Sequence, residues 1–186
     1  MSKYFIASDI HGSSYWCRKT LEEFQKSGAE RLILLGDILY HGPRNDLPKD
    51  YAPKEVIAML NPFKNKIYAV RGNCEAEVDQ MVLDFPVMAD YALLCLNGHT
   101  IYATHGHIYN EEHLPPLSSG DVLLHGHTHL LKAEQLTADG TTFYHLNPGS
   151  TSIPKGGNPN TYAILDGDTF TVSDFDGNTV AENTLE

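Results

Sequence analysis

Five short apolar runs in this chain each break off at a residue that can bind a metal ion, and this pattern constrains the fold more than any other feature. Residues 3–8 are aromatic and apolar, read as a buried strand, and stop at Asp9-Ile10-His11-Gly12. Residues 31–35 form a second such run and end at Gly36-Asp37. Residues 66–70 form a third and end at Arg71-Gly72-Asn73-Cys74. Residues 99–104 lead into His105-Gly106-His107, and residues 121–124 into His125-Gly126-His127-Thr128-His129. Strand ends of an α/β sheet gather along one edge, where ligands bind. Asp9, His11, Asp37, Asn73, His105, His127 and His129 are therefore expected to converge from five separate loops.

The segments between the runs set the architecture. Trp16, Thr20, Leu21 and Phe24 recur at helical spacing, which predicts a helix over 14–26 with Gly28 at its C-terminal cap. Residues 41–51 are polar and contain Pro43 and Pro48, as in a loop. Pro53 suits the first turn of a helix running to Leu60, and a short helix is expected over 75–83. After Pro86 the pattern changes to hairpins. Asn97-Gly98 joins residues 91–96 to 99–104, and Ala138-Asp139-Gly140 joins 130–136 to 141–146. Residues 162–165, 170–175 and 179 onward read as a meander. Strand–helix units followed by hairpins predict an α/β fold, a two-sheet β-sandwich flanked by helices. With no repeat or linker, residues 1–186 are expected to form a single domain.

The ligand types point to a chemistry. Carboxylate, amide and imidazole suit borderline divalent ions such as Mn²⁺, Zn²⁺, Fe²⁺, Ni²⁺ or Co²⁺, with Mn²⁺ the first expectation. Seven ligands exceed the needs of one such ion and suit two if a carboxylate bridges; Asp37, directly after Gly36, is the natural bridge. In Asp9-x-His11 and His127-x-His129, extended backbone would point both side chains one way, whereas a tight turn would splay them toward neighbouring ions.

These motifs together resemble those of calcineurin-like metallophosphoesterases: Asp9-x-His11, Gly36-Asp37, Gly72-Asn73, His105-Gly106-His107 and Gly126-His127-Thr128-His129, in that order. Within that family the chain is most similar to the bacterial YfcE-type phosphodiesterases. The similarity rests on Gly42-Pro43-Arg44-Asn45, Gly72-Asn73-Cys74, Asn147-Pro148-Gly149-Ser150 and residues 153–159. The resemblance implies one metal held by Asp9, His11, Asp37 and His129, and another held by Asp37, Asn73, His105 and His127. It implies hydrolysis of small phosphodiesters, and of activated phosphoesters, by in-line attack of a hydroxide bridging the two ions. The family commonly has His after Gly-Asn, a position held here by Cys74, as in the YfcE-type group. Cys74 is thus the expected determinant of leaving-group departure, drawn toward thiolate by nearby cations. Arg44, on the loop after Asp37, and His107 are candidate substrate contacts; Arg44 could instead cap a helix or pair with Asp46, and His107 could instead support a metal ligand from behind.

Charge bears on the substrate. The chain has 24 Asp plus Glu against 13 Lys plus Arg, a formal charge of −11. Such a rim repels polyanions and membrane phosphates, while two divalent ions attract a small phosphate ester. No nucleic acid or membrane partner is expected, and a nuclease, which wants a basic groove, is disfavoured. A non-catalytic scaffold like the retromer subunit of this fold would have lost ligands, and here every ligand position is filled. Cys17, Cys74 and Cys95 form no CxxC pair, as in a reducing compartment, and no leader precedes the first strand; a cytoplasmic location is expected. The loop over 153–159 and the hairpins are candidate surfaces for a homo-oligomer. His125 reads as structural or as a support behind the ligands, His41, His99, His113 and His145 as non-catalytic, and Cys17, Cys95, Trp16, Tyr91 and Tyr102 as core.

Overall fold

The computed structural model describes residues 3–186. Met1 and Ser2, which begin the segment in which no leader is expected, lie outside the described residues. The first half alternates strands and helices: β1 (Lys3–Ala7), α1 (Ser14–Ser27), β2 (Arg31–Leu34), α2 (Pro53–Leu60), a 3₁₀ turn (Asn61–Lys66), β3 (Ile67–Ala69) and α3 (Glu77–Val82). The second half is strands: β4 (Tyr91–Leu96), β5 (His99–Thr104), β6 (Val122–Leu124), β7 (Leu131–Ala138), β8 (Thr141–Pro148), β9 (Thr161–Asp166), β10 (Thr169–Asp174) and β11 (Thr179–Thr184).

Local chemistry accounts for the helices. The Ser13 hydroxyl accepts from the Trp16 N–H and starts α1, while Gly28 takes the left-handed conformation that ends it. Cys17, Thr20, Leu21 and Phe24 bury one stripe of α1. Pro53 opens α2, which buries Val56 and Leu60 one turn apart.

Two sheets form, ordered β11-β10-β9-β1-β2-β3 and β4-β5-β6-β8-β7. Between them lies a core that includes Ile6, Ile33, Leu35, Val70, Ile101, Val122, Leu124 and Leu146. On the other face of the first sheet, Phe5, Leu32 and Leu34 meet Cys17, Leu21 and Phe24 of α1 and Val56 and Leu60 of α2. This is the two-sheet sandwich with flanking helices that the segment order predicts. Among the described residues no helix is long and apolar enough to cross a membrane.

The register explains why ligands can meet. β1, β2 and β3 are parallel, and so are β5, β6 and β8. Each sheet therefore sends three consecutive strand ends in one direction, and the loops after them form one rim.

Three core assignments need correction. Cys95 and Tyr91 are exposed, because β4 is an edge strand whose alternate residues, Tyr91, Leu93 and Cys95, face outward. Tyr91 instead stacks on the buried Tyr102 at a ring separation of 4.7 Å. Trp16 is half-buried beside Phe175.

Candidate metal centre

All seven predicted ligands meet on the rim. On one side, His129 Nε2 lies 3.2 Å from Asp9 Oδ1 and 3.3 Å from His11 Nε2. His11 Nε2 lies 3.5 Å from Asp9 Oδ1 and 3.6 Å from Asp37 Oδ2. On the other side, His105 Nε2 lies 3.5 Å from the same Asp37 Oδ2, 3.2 Å from Asn73 Oδ1 and 3.1 Å from His127 Nδ1. One oxygen of Asp37 thus faces both groups.

Three of the imidazoles are fixed from behind. His11 Nδ1 donates to Tyr40 O (2.8 Å), His129 Nδ1 to Ile153 O (2.7 Å) and His105 Nδ1 to Leu35 O (2.6 Å). A carbonyl can only accept, so each Nδ1 carries the proton and each Nε2 turns its lone pair inward. Burial, and then the nearby His105, push His127 down to about 4, so its ring stays neutral. Asp9 Oδ1 is buried and accepts no hydrogen bond. A buried carboxylate oxygen without a donor, facing imidazole lone pairs, fits a divalent cation and little else. The residues present therefore fit the implied metal.

The backbone is bent to achieve this. Asp9, His11, Asp37, His127 and His129 all have positive φ, between 51° and 65°. Such conformations cost of order 1–3 kcal/mol each and persist where the surroundings impose them. Of the two geometries open to the Asp-x-His and His-x-His pairs, the tight turn is the one adopted. It sends His127 and His129 to opposite groups.

Residues to which the sequence assigns no role in the centre hold these turns. The buried Glu75 carboxylate accepts from Asp37 N (2.8 Å), Ile38 N (2.6 Å) and Gly72 N (2.6 Å), tying the β2 and β3 loops together. Burial and then Asp37 push its pKa up to about 7, against the three N–H donors. Ser8 Oγ donates to Asp9 Oδ2 (2.6 Å), and Ser150 Oγ and Ser152 Oγ both donate to Asp9 O. Asn147 Nδ2 donates to Gly126 O and so supports the turn before His127. Glu75→Ala would strand three buried N–H groups at about 1–3 kcal/mol each. A loss of about 3 kcal/mol would lower the melting temperature by roughly 6–12 °C in a chain of this size. A thermal melt within about 2 °C of the parent would rule out this role for Glu75.

Beside the ligands is a cavity of about 390 Å³, lined by Asp37, Arg44, Asn45, Asn73, His127, Thr128, His129 and Lys155. Arg44 borders it and makes no ion pair with Asp46 among the described residues. Lys155, which carries a second positive charge, arrives from the loop after β8. His107 does not line this cavity; it is half-buried 5.4 Å from the His105 ring, with Nδ1 lacking a partner. Cys74 is half-buried, its Sγ 3.2 Å from Asn73 Nδ2 and its N–H donating to Asp37 Oδ1. Burial and then the Asp37 carboxylate push this thiol up, so before any cation is counted the protein favours thiol over the expected thiolate.

Residues 3–169 match the calcineurin-like phosphoesterase superfamily domain. The chain is 51% identical over 172 residues to phosphodiesterase YfcE of Escherichia coli strain K12, covering 92% of this chain and 91% of that protein. It is 27% identical over 180 residues to a probable metallophosphoesterase, YsnB, of Bacillus subtilis strain 168, covering 92% and 89%. Among solved structures, that of YfcE, a phosphoesterase from E. coli, superposes with a TM-score of 0.95 at 48% identity, covering 99% of this chain and all of that one.

Proposed function

The chain belongs to the calcineurin-like phosphoesterase superfamily, and we propose that it is a metal-dependent phosphodiesterase acting on small phosphodiesters. The observation that carries this reading is the single Asp37 oxygen facing both ligand groups, with His11 on one side and His105 on the other. Asp9, His11, Asp37 and His129 would hold one divalent ion; Asp37, Asn73, His105 and His127 would hold the second. When bound, such ions supply Lewis-acid charge and make water a nucleophile near neutral pH.

The chain's own residues bind and orient the ester. Arg44 and Lys155 bring two positive charges to the cavity and so receive phosphate oxygens, Arg44 with its planar fork. The cavity volume admits a small diester and its substituents. Cys74 does not line the cavity but follows the lining residue Asn73, at the position where the family commonly has His, and a thiol is a poor donor for protonating a departing alkoxide. Leaving groups that depart without a proton, such as phenolates, are therefore preferred. A cytoplasmic location agrees with three free cysteines at positions 17, 74 and 95.

The test is metal removal and restoration. Chelated protein should be inactive, and Mn²⁺ should restore turnover of an aryl diester by about 10²-fold or more. Zn²⁺, Ni²⁺ and Mg²⁺ are the parallel additions, and an aryl monoester and an alkyl diester are the comparison substrates. The aryl diester should be the best of the three. No metal-restored turnover on any of them would sink the proposal in favour of a binding platform, and equal aryl and alkyl rates would remove the role given to Cys74.

A further inference from the structure

A second group of ligand-type side chains lies outside the centre. His125 follows β6, His145 lies in β8, Glu111 lies on the loop after β5, and Glu134 lies on β7 directly across from His145. His125 and His145 are each 1% exposed, and their rings lie edge to edge in nearly one plane, with centroids 4.9 Å apart and 14° between the planes. Their Nε2 atoms face each other at 2.7 Å. Glu111 Oε2 stands 3.4 Å from one and 3.8 Å from the other.

The outer nitrogens decide what lies between the inner ones. His145 Nδ1 is 3.1 Å from Glu134 Oε1, and His125 Nδ1 is 3.0 Å from Gly126 O. Both oxygens only accept, so both Nδ1 atoms carry protons. Moving the His125 proton to Nε2 would instead set the Nδ1 lone pair against Gly126 O. With both Nδ1 atoms protonated, two neutral rings would press Nε2 lone pairs together in a buried site. A cation between them removes that conflict, and the Glu111 carboxylate balances its charge.

We propose that Glu111, His125 and His145 form a further divalent-metal site, suited to Zn²⁺ and separate from the ligands around Asp37. Two imidazoles and one carboxylate are a zinc donor set, with water completing the tetrahedron on the exposed Glu111 side. Zinc at about 2.0–2.1 Å from each nitrogen needs them roughly 3.3 Å apart. The His125 and His145 rings must part by roughly 0.6 Å and tilt, so that lone pairs now aimed at each other converge on the ion. In the Asp37 centre the matching nitrogen pairs already stand 3.3 and 3.1 Å apart. Glu134 behind His145 supplies the outer carboxylate that orients a metal-bound imidazole. Glu111 is partly open to solvent, so the third ligand is an ordinary carboxylate anion at neutral pH. An ion here would pin the loop after β5 to β6 and β8, two residues from His127.

The experiment counts zinc. The parent, Glu111→Gln, Glu134→Gln and Asp37→Ala proteins are saturated with Zn²⁺, desalted and analysed for zinc per chain, then titrated with a chelator. Glu111 is partly solvent-facing, so its replacement leaves the core intact. The parent should carry about one equivalent more than Glu111→Gln, and Glu134→Gln should release that equivalent at roughly 10–100-fold lower chelator strength. Asp37→Ala should keep it while losing the ions of the other centre, which separates this assignment from the proposed function. Equal zinc in the parent and Glu111→Gln would overturn the proposal and leave the two imidazoles bridged by a proton.

Discussion

Asp37→Ala is expected to lower turnover of an activated aryl diester by about 10³-fold or more, the largest single loss in the centre. The reason is geometric. Asp37 Oδ2 lies 3.6 Å from His11 Nε2 and 3.5 Å from His105 Nε2, so one substitution removes an anion from both ligand groups. Its other oxygen accepts the Cys74 N–H at 2.9 Å, so the turn carrying Asn73 loosens as well. Asn73→Ala, by contrast, removes a neutral ligand from one group only. The comparison is made by measuring kcat, KM and metal content for both variants. Asp37→Ala should lose both metals and fall mainly in kcat, whereas Asn73→Ala should lose one. If Asp37→Ala kept its metals, or turned over within tenfold of Asn73→Ala, Asp37 would not be the bridge.

How far this centre is legible in the sequence depends on where each chemistry sits. The seven ligands are readable because each closes a recognisable apolar run, and parallel strands bring such ends together. The resemblance of the ordered motifs then separates them into two groups, which the distances also separate. Glu75 is not readable, because its work is to accept N–H groups from Asp37 and Ile38, far back in the chain, and an isolated Glu beside Cys74 carries no mark of that. Lys155 is brought to the cavity by a long return from β8. The Glu111, His125 and His145 group depends on the parallel pairing of β6 with β8 and on one loop reaching over both. Apolar alternation marks strands, yet it does not say which strand lies at an edge. Alternation alone therefore points Tyr91 and Cys95 to a core that β4, as an edge strand, does not provide on that face.

Gly72→Ala is expected to show how tightly the two turns must approach. Its φ is not among the positive values, so the methyl group itself, not backbone strain, is what matters. A Cβ there would overlap Asp37 Oδ1, stand 2.5 Å from Asp37 N and 2.7 Å from Glu75 Oε2. None of these atoms is the free end of a flexible surface chain. Asp37 Oδ1 is held by Cys74 N, and Glu75 Oε2 by Asp37 N and by Gly72 N itself. The loops after β2 and β3 must therefore separate, and a displacement near 1 Å costs about 10²-fold in rate. Overpacking of this kind also lowers stability by about 1–3 kcal/mol, which leaves a folded protein to measure. The expected variant is thus folded, binds metal more weakly and loses about 10²-fold in kcat. Wild-type kcat and metal affinity in a folded Gly72→Ala protein would mean that the two turns have slack. The convergence on Asp37 would then need no glycine, and the close approach of the loops would be incidental to the chemistry.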